Sequence, residues 1–317
     1  MTTAKLRMPG LIAVLVSLVA GLTACGSGPG QINSAVIIDG SAISVDQVQA
    51  LVDKVVAEQP AAQQLARERK LDLVAREALG QLIVHEVLDD AAERAGITAD
   101  RSEVTAFLEQ DPLGQELPTD GSVPPEQLVQ QLVFRARDAG DYARDQVLLT
   151  MLAEEYLGRA SVTYNLVQLD NAEDANTLAE RIAASPADSE QLMNEAGGQG
   201  GAQLEASTGA TPDGVYLTAP EGSVFVLPAG QGQGGFQVVH VLDRELSSQA
   251  DPSAIAAVPP EQLPLLGLFA LREDTMAADI EVSPRYGVWN HAIVGVVPKS
   301  EAEVSGAVLA PSDSARP

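Results

Sequence analysis

Chemistry in this chain has few reactive side chains to start from. Of 317 residues, one is a cysteine, Cys25, and three are histidines, His85, His240 and His291. Cys25 stands in GLTACGSGPG (21–30), among small residues and after an apolar run. A thiol nucleophile is available there, but a disulfide is not, because the chain has no second cysteine to close one. The histidines are far apart and none has a second ligand at helical spacing, so they read as core or surface residues and no metal is expected. GQGQGG (230–235) resembles a dinucleotide fingerprint only superficially, because it precedes a strand pattern instead of opening a helix. No Gly-Lys-Ser/Thr, no serine nucleophile elbow and no His-Glu-x-x-His is present. The carboxylates are scattered along helix faces, which is the pattern of solvation. No cofactor is expected.

The surroundings of Cys25 give its thiol a use. Lys5 and Arg7 precede the apolar run 11–22, which is shorter than the roughly 18–20 residues a bilayer span needs, so residues 1–24 read as an export signal. Leu22-Thr23-Ala24-Cys25 resembles the bacterial lipobox. That resemblance implies a diacylglycerol on the Cys25 sulfur, cleavage before Cys25 and acylation (a palmitate-type chain) of the new amine. Each buried CH₂ contributes about 0.8 kcal/mol, so two or three chains hold firmly where one does not. CGSGPGQINS (25–34) then reads as a flexible tether. The formal charge is −25, and loss of Lys5 and Arg7 with the signal leaves −27. Such a surface disfavours nucleic acid and electrostatic docking on anionic lipid.

The remaining elements follow from periodicity. In AVIIDGSAIS (35–44), two β-prone segments flank Asp39-Gly40, a hairpin signal. Ser44 with Gln47 makes a capping box, and Ile43 with Val48 a hydrophobic staple, for a helix carrying Val45, Val48, Leu51, Val52 and Val55. A long helical pattern covers 61–95 and stops at Gly96. Asp100 and Glu103 open the next helix. Helical patterns follow over 125–138 and 142–160, with Gly140 expected to break between them. From 162 the texture changes to β-prone VTYNLVQL (162–169), a helix over 172–185, a loop over 195–216 and a strand over 236–242. A helical stretch 259–280 and an extended 280–289 come next, and 291–317 reads as a disordered tail.

INSAVIIDGSAISVDQVQALV, with LGQLIVHEVLDDAAERAGITADRSEV (79–104) and RDQVLLTMLAEEYL (144–157), resembles the SurA-like and PrsA-like envelope chaperones and foldases. EVSPRYGVW (281–289) resembles the closing segment of actinobacterial members. Within such proteins a parvulin-type isomerase unit is often inserted, and DSEQLM (188–193), VFVLPAG (224–230) and GFQVVHVLDRE resemble its pieces. Parvulins carry a histidine in the first strand, where this chain has Asn165, and another in the last strand, where it has Gln237. His240 lies three residues beyond Gln237, so on a strand it faces the other way.

The resemblance implies an α+β, mainly helical fold. A SurA-type N-terminal chaperone domain (35–160) would be closed by a C-terminal helix and strand (247–290), with a degenerate parvulin-like α+β insert (161–246). It implies a lipid-anchored chaperone on the extracytoplasmic face of the cell membrane, holding unfolded or nascent secreted proteins, with no catalytic residue. An active prolyl isomerase with an atypical site, and a non-catalytic adaptor lipoprotein of an envelope complex, stay open as alternatives. The anchor is directly testable: Cys25→Ser is expected to move the protein from the membrane fraction to the soluble fraction on cell fractionation.

Overall fold

In the computed structural model, residues 33–118, 123–197, 199–206, 216, 219–229, 234–247 and 252–310 are described. The chain enters through a hairpin, β1 (Ser34–Ile38) and β2 (Ser41–Ser44). Asp39 and Gly40 take φ of 48° and 86°, as a type I′ turn requires. Ser44 caps α1 (Val45–Glu58) with the expected box: Gln47 N–H donates to Ser44 Oγ at 3.2 Å, and Ser44 N–H donates to Gln47 Oε1 at 2.8 Å. Ile43 and Val48 are both buried, so the staple is also in place.

The helical pattern over 61–95 is two helices, α2 (Pro60–Arg67) and α3 (Leu71–Ala95). Between them Arg69 adopts φ 61°, and Lys70 N–H reaches back to the Leu65 carbonyl at 2.9 Å. This is a Schellman closure built on arginine, with no glycine to announce it in the sequence. Next come α4 (Arg101–Glu109), α5 (Pro125–Ala136) and α6 (Ala139–Leu157). Gly140 does not break the helix. It lies in the first turn of α6, donating its N–H to Asp138 Oδ1 at 2.8 Å, and the break falls at Arg137 and Asp138 instead.

The second unit is a sheet with helices. Its elements are β3 (Ala160–Leu169), α7 (Ala172–Ala184), α8 (Ser189–Glu195), β4 (Gln199–Ala206), β5 (Val224–Pro228) and β6 (Phe236–Leu246). The stretch 195–216, expected as loop, therefore contains a strand, which pairs antiparallel with β3. Its Gly-rich composition hides β-propensity, and pairing with β3 outweighs it.

After β6 come α9 (Pro252–Ala256), α10 (Leu263–Ala270), α11 (Arg272–Ala277) and β7 (Ile280–Val282). The helical stretch expected over 259–280 is divided at Leu271, which is fully buried. The C-terminal return is present: β7 pairs antiparallel with β1, Val36 opposite Val282 and Ile38 opposite Ile280. The first sheet thus has the order β2-β1-β7.

The expected disordered tail is a correction. Residues 291–310 contain the end of a hairpin, β8 (Val288–Asn290) with β9 (Gly295–Val297), and a further strand β10 (Ala307–Leu309). β10 joins β5, so the second sheet runs β10-β5-β6-β3-β4. Small residues and few aromatics made this stretch look unfit for a core, but it adds backbone pairing and short apolar contacts to surfaces already built.

Four apolar clusters fill the molecule. The hairpin, α1, α2, α3, α5 and Tyr286 form one; α3, α6 and α10 form a second with Leu271 and Val294. The remaining two lie on opposite faces of the five-stranded sheet. A fully buried Leu or Ile such as Leu79 or Ile83 contributes about 1.5–3 kcal/mol. Among the described residues, no helix is long and apolar enough to cross a membrane.

α10 crosses α6 at very close range. A Cβ at Gly267 would stand 1.8 Å from the Leu149 carbonyl oxygen. Gly267→Ala is therefore expected to destabilise the protein by about 2–3 kcal/mol, read as a lower midpoint in urea unfolding.

Candidate functional site

The sheet residues alternate between two environments. Val162, Tyr164, Phe225, Val239 and Val241 face one apolar cluster; Val167, Val224, Val226 and Val238 face the other. Alternation then assigns Asn165 and His240 to the second face and Gln237 to the first. The structure brings Asn165 together with His240, which is its direct cross-strand partner, and leaves Gln237 on the other side, opposite Gln168.

On the second face, α7 and α8 cover the strands. Asn165 Nδ2 donates to Ser189 Oγ at 3.3 Å, and both residues are buried. Neither ring nitrogen of His240 has a hydrogen-bond partner among the described residues, although the side chain is 3% exposed. Burial pushes its pKa below the ordinary imidazole value of 6.5. A neutral imidazole held this way is a packing residue.

On the first face, Tyr216 donates its hydroxyl to Gln237 Oε1 at 3.3 Å. Tyr164, Tyr216 and Phe225 form an aromatic row with ring centroids 5.2 and 6.1 Å apart. This face is filled by the rest of the protein: Ala153 and Leu157 of α6, Val258, and Leu263 of α10 are buried against it. Arg272 of α11 completes the cover. Its guanidinium carbon lies 5.1 Å from the Phe225 ring centre and 4.3 Å from that of Phe269, and its Nε donates to the Ala292 carbonyl at 3.0 Å. Burial lowers its pKa to about 9. Nothing in the local sequence around Arg272 marks it as an interior residue; the apolar run Leu263–Leu271 before it is the one sign that this segment packs on both sides.

The helical unit has its own polar centre, also missed by sequence patterning because its members come from α3, α6 and the junction after α5. Asp145 of α6 is 2% exposed. Its Oδ1 meets His85 Nδ1 at 2.8 Å and its Oδ2 accepts from Arg137 Nη2 at 2.5 Å. The hydrogen bond to Asp145 raises the His85 pKa, against the opposing effect of burial. His85 lines a groove of about 320 Å³ with Leu51, Lys54, Leu82 and Asp141. Met193 is fully buried in the sheet unit. Exposed large apolar side chains among the described residues are dispersed, Leu108, Leu246, Leu265, Ile293 and Val304. Cys25 and the residues before it, Leu22, Thr23 and Ala24, lie outside the described residues. Among the described residues, no cluster of His, Cys, Asp and Glu has the arrangement of a metal site.

A hairpin feeding a capped helix, a helical core closed by a returning strand and an interposed antiparallel sheet define a mainly helical α+β architecture. Residues 5–132 match the family of the SurA-like N-terminal domain. Over that stretch the chain is similar to the N-terminal domain of SurA-like chaperones. No curated protein matches it. Similar solved structures include the following three. One is a SurA-like chaperone of Campylobacter jejuni, with 14% identity, 79% of this chain and 98% of that chain covered, and a TM-score of 0.24. Another is the peptidylprolyl isomerase PrsA of Bacillus cereus, with 16% identity, 79% and 93% coverage, and a TM-score of 0.25. The third is the foldase PrsA of Streptococcus pneumoniae, with 15% identity, 75% and 90% coverage, and a TM-score of 0.23.

The histidines set a pH dependence with opposed parts. The unfolded chain protonates His240 near 6.5, whereas the folded sheet unit resists it, so stability falls as pH drops through that value. His291, also lowered by burial, acts in the same direction. His85 acts oppositely: its contribution is full below 6.5 and is lost as pH rises through its raised value. His240→Leu is expected to shrink the loss of melting temperature between pH 7.5 and pH 5, measured by circular dichroism.

Proposed function

We propose that this protein is a holdase or foldase that acts outside the cytoplasm on unfolded secreted or envelope proteins, without isomerase catalysis. It is held on the membrane by lipid on Cys25. The observation that carries the non-catalytic part is the double cover of the parvulin-like sheet. Asn165 and Gln237 face opposite sides, and each side is packed against helices of the same chain. Prolyl isomerisation forms no covalent intermediate and depends on a shaped pocket that favours the twisted amide. A face filled by Val258, Leu263 and Arg272 leaves no room for that amide.

Client holding requires accessible apolar surface on a soluble frame. The groove beside His85 and the separated exposed side chains Leu108 and Leu265 supply such surface in small patches. Weak, distributed contact suits transient holding, and the acidic exterior keeps loaded complexes apart. The test pairs two assays. The protein is expected to suppress aggregation of a denatured client at near-stoichiometric ratio while leaving the rate of a proline-limited refolding reaction unchanged. Acceleration of that reaction would establish the isomerase reading instead, and one stoichiometric partner in a pull-down with no suppression of aggregation would establish the adaptor reading.

A further inference from the structure

We propose that the outer edge of β5 is an acceptor for an extended aliphatic segment of a client chain, and that β10 is a latch holding this edge shut in cis. The proposal rests on the reading of the protein as a holder of unfolded chains and names where, and by what chemistry, one class of segment is received.

The edge itself is well formed. Val224, Phe225 and Val226 are fully buried, and β6 pairs with β5 on one side along five residues, Val224 to Pro228. On the other side the backbone of β5 is paired by three residues only: Ala307 opposite Val226, Val308 opposite Phe225 and Leu309 opposite Val224. All three are half-exposed. Their side chains alternate, Val308 toward the aromatic cluster and Ala307 and Leu309 toward the α7 side. The edge therefore already demonstrates what it accepts: an antiparallel, extended stretch of small and aliphatic residues. Backbone hydrogen bonds supply affinity without sequence demands, and alternate side chains find apolar surface on both faces. An apolar stretch of an unfolded secreted protein has the same chemistry.

β10 is attached like a latch. Entry to the strand needs Gly306, at φ 106°, where a Cβ would lie 2.8 Å from the Val226 carbonyl oxygen. Two side chains pin the approach: Asn290 Nδ2 donates to the Gly306 carbonyl at 2.8 Å, and Asn176 Nδ2 to the Glu303 carbonyl at 3.1 Å. Between these, Val304 is 49% exposed. Segments with few buried contacts open at lower free energy than the core they cover. Without β10, β5 would be an uncovered apolar edge, which is a template for pairing with another chain.

The experiment compares wild type, a truncation after Ser305, and Gly306→Val, which keeps the whole chain but forces the backbone off Val226. The probe is a fluorescent peptide of sequence VSGAVLA, residues 304–310, read by anisotropy, alongside the same peptide N-methylated at alternate residues. Both variants are expected to bind the unmodified peptide at least tenfold more tightly than wild type, and the N-methylated peptide is expected to lose that gain. Equal affinity across the three proteins, or equal binding of the methylated peptide, overturns the proposal. Gly306→Val decides the matter if the truncation does not fold, with thermal melts confirming an intact core. A gain in peptide binding with no matching gain in suppression of client aggregation overturns the client as the occupant. The holdase reading fails on a separate measurement, if wild type suppresses no aggregation.

Discussion

The guanidinium of Arg272 is the constraint on which the rest of the structure depends. It is 1% exposed, and its removal from water costs on the order of several kcal/mol unless its surroundings compensate. Compensation comes from three different places: the ring of Phe225 in the sheet, the ring of Phe269 on α10 and the carbonyl of Ala292 in the turn between β8 and β9. None of these can move away alone without leaving a buried cation uncovered. The next two residues extend the same logic at the surface. Glu273 accepts from Arg244 of β6 at 3.0 Å, and Asp274 pairs with Arg94 at the end of α3. One short helix thus ties together the sheet, the long helix of the N-terminal unit and the C-terminal hairpin.

That tie explains the covered sheet. The five-stranded sheet is joined to its neighbour across the face that carries Gln237, through Leu157, Val258 and Leu263. The chain after α11 then fastens the assembly a second time. It gives β7 to the N-terminal sheet, lays β9 against α3 near Gly80, and gives β10 to the far sheet. Both sheets take their last strand from the same thirty-residue stretch, β7 at its start and β10 at its end.

Much of the N-terminal unit was legible because its signals are local. Asp39-Gly40, the Ser44–Gln47 box, the Ile43–Val48 staple and the stop at Gly96 each act within a few residues, where sequence spacing is spatial spacing. The return of Val282 to Val36 was legible for a different reason, a resemblance in the order of pieces. Three features were hidden. Arg69 closes α2 in a left-handed conformation that arginine rarely adopts, so no glycine marks the turn. β4 and β10 are made of small or mixed residues and exist because partner strands offer unpaired backbone. The Asp145 centre collects His85 and Arg137 from α3 and the end of α5, and no linear motif links positions 8 and 60 residues apart.

By itself the sequence determined most of the N-terminal helices with the caps at Ser44 and Gly96, the first hairpin and the acidic charge, because each depends on propensity, short spacing or composition. It also determined that Gln237 and His240 face opposite ways, since a strand alternates whatever it packs against. Only the tertiary structure decided that both faces of the second sheet are covered, that Arg272 is interior and that the stretch after 290 is built into the fold. Those outcomes depend on which surfaces meet, and burial is a property of a pair of surfaces rather than of either sequence alone.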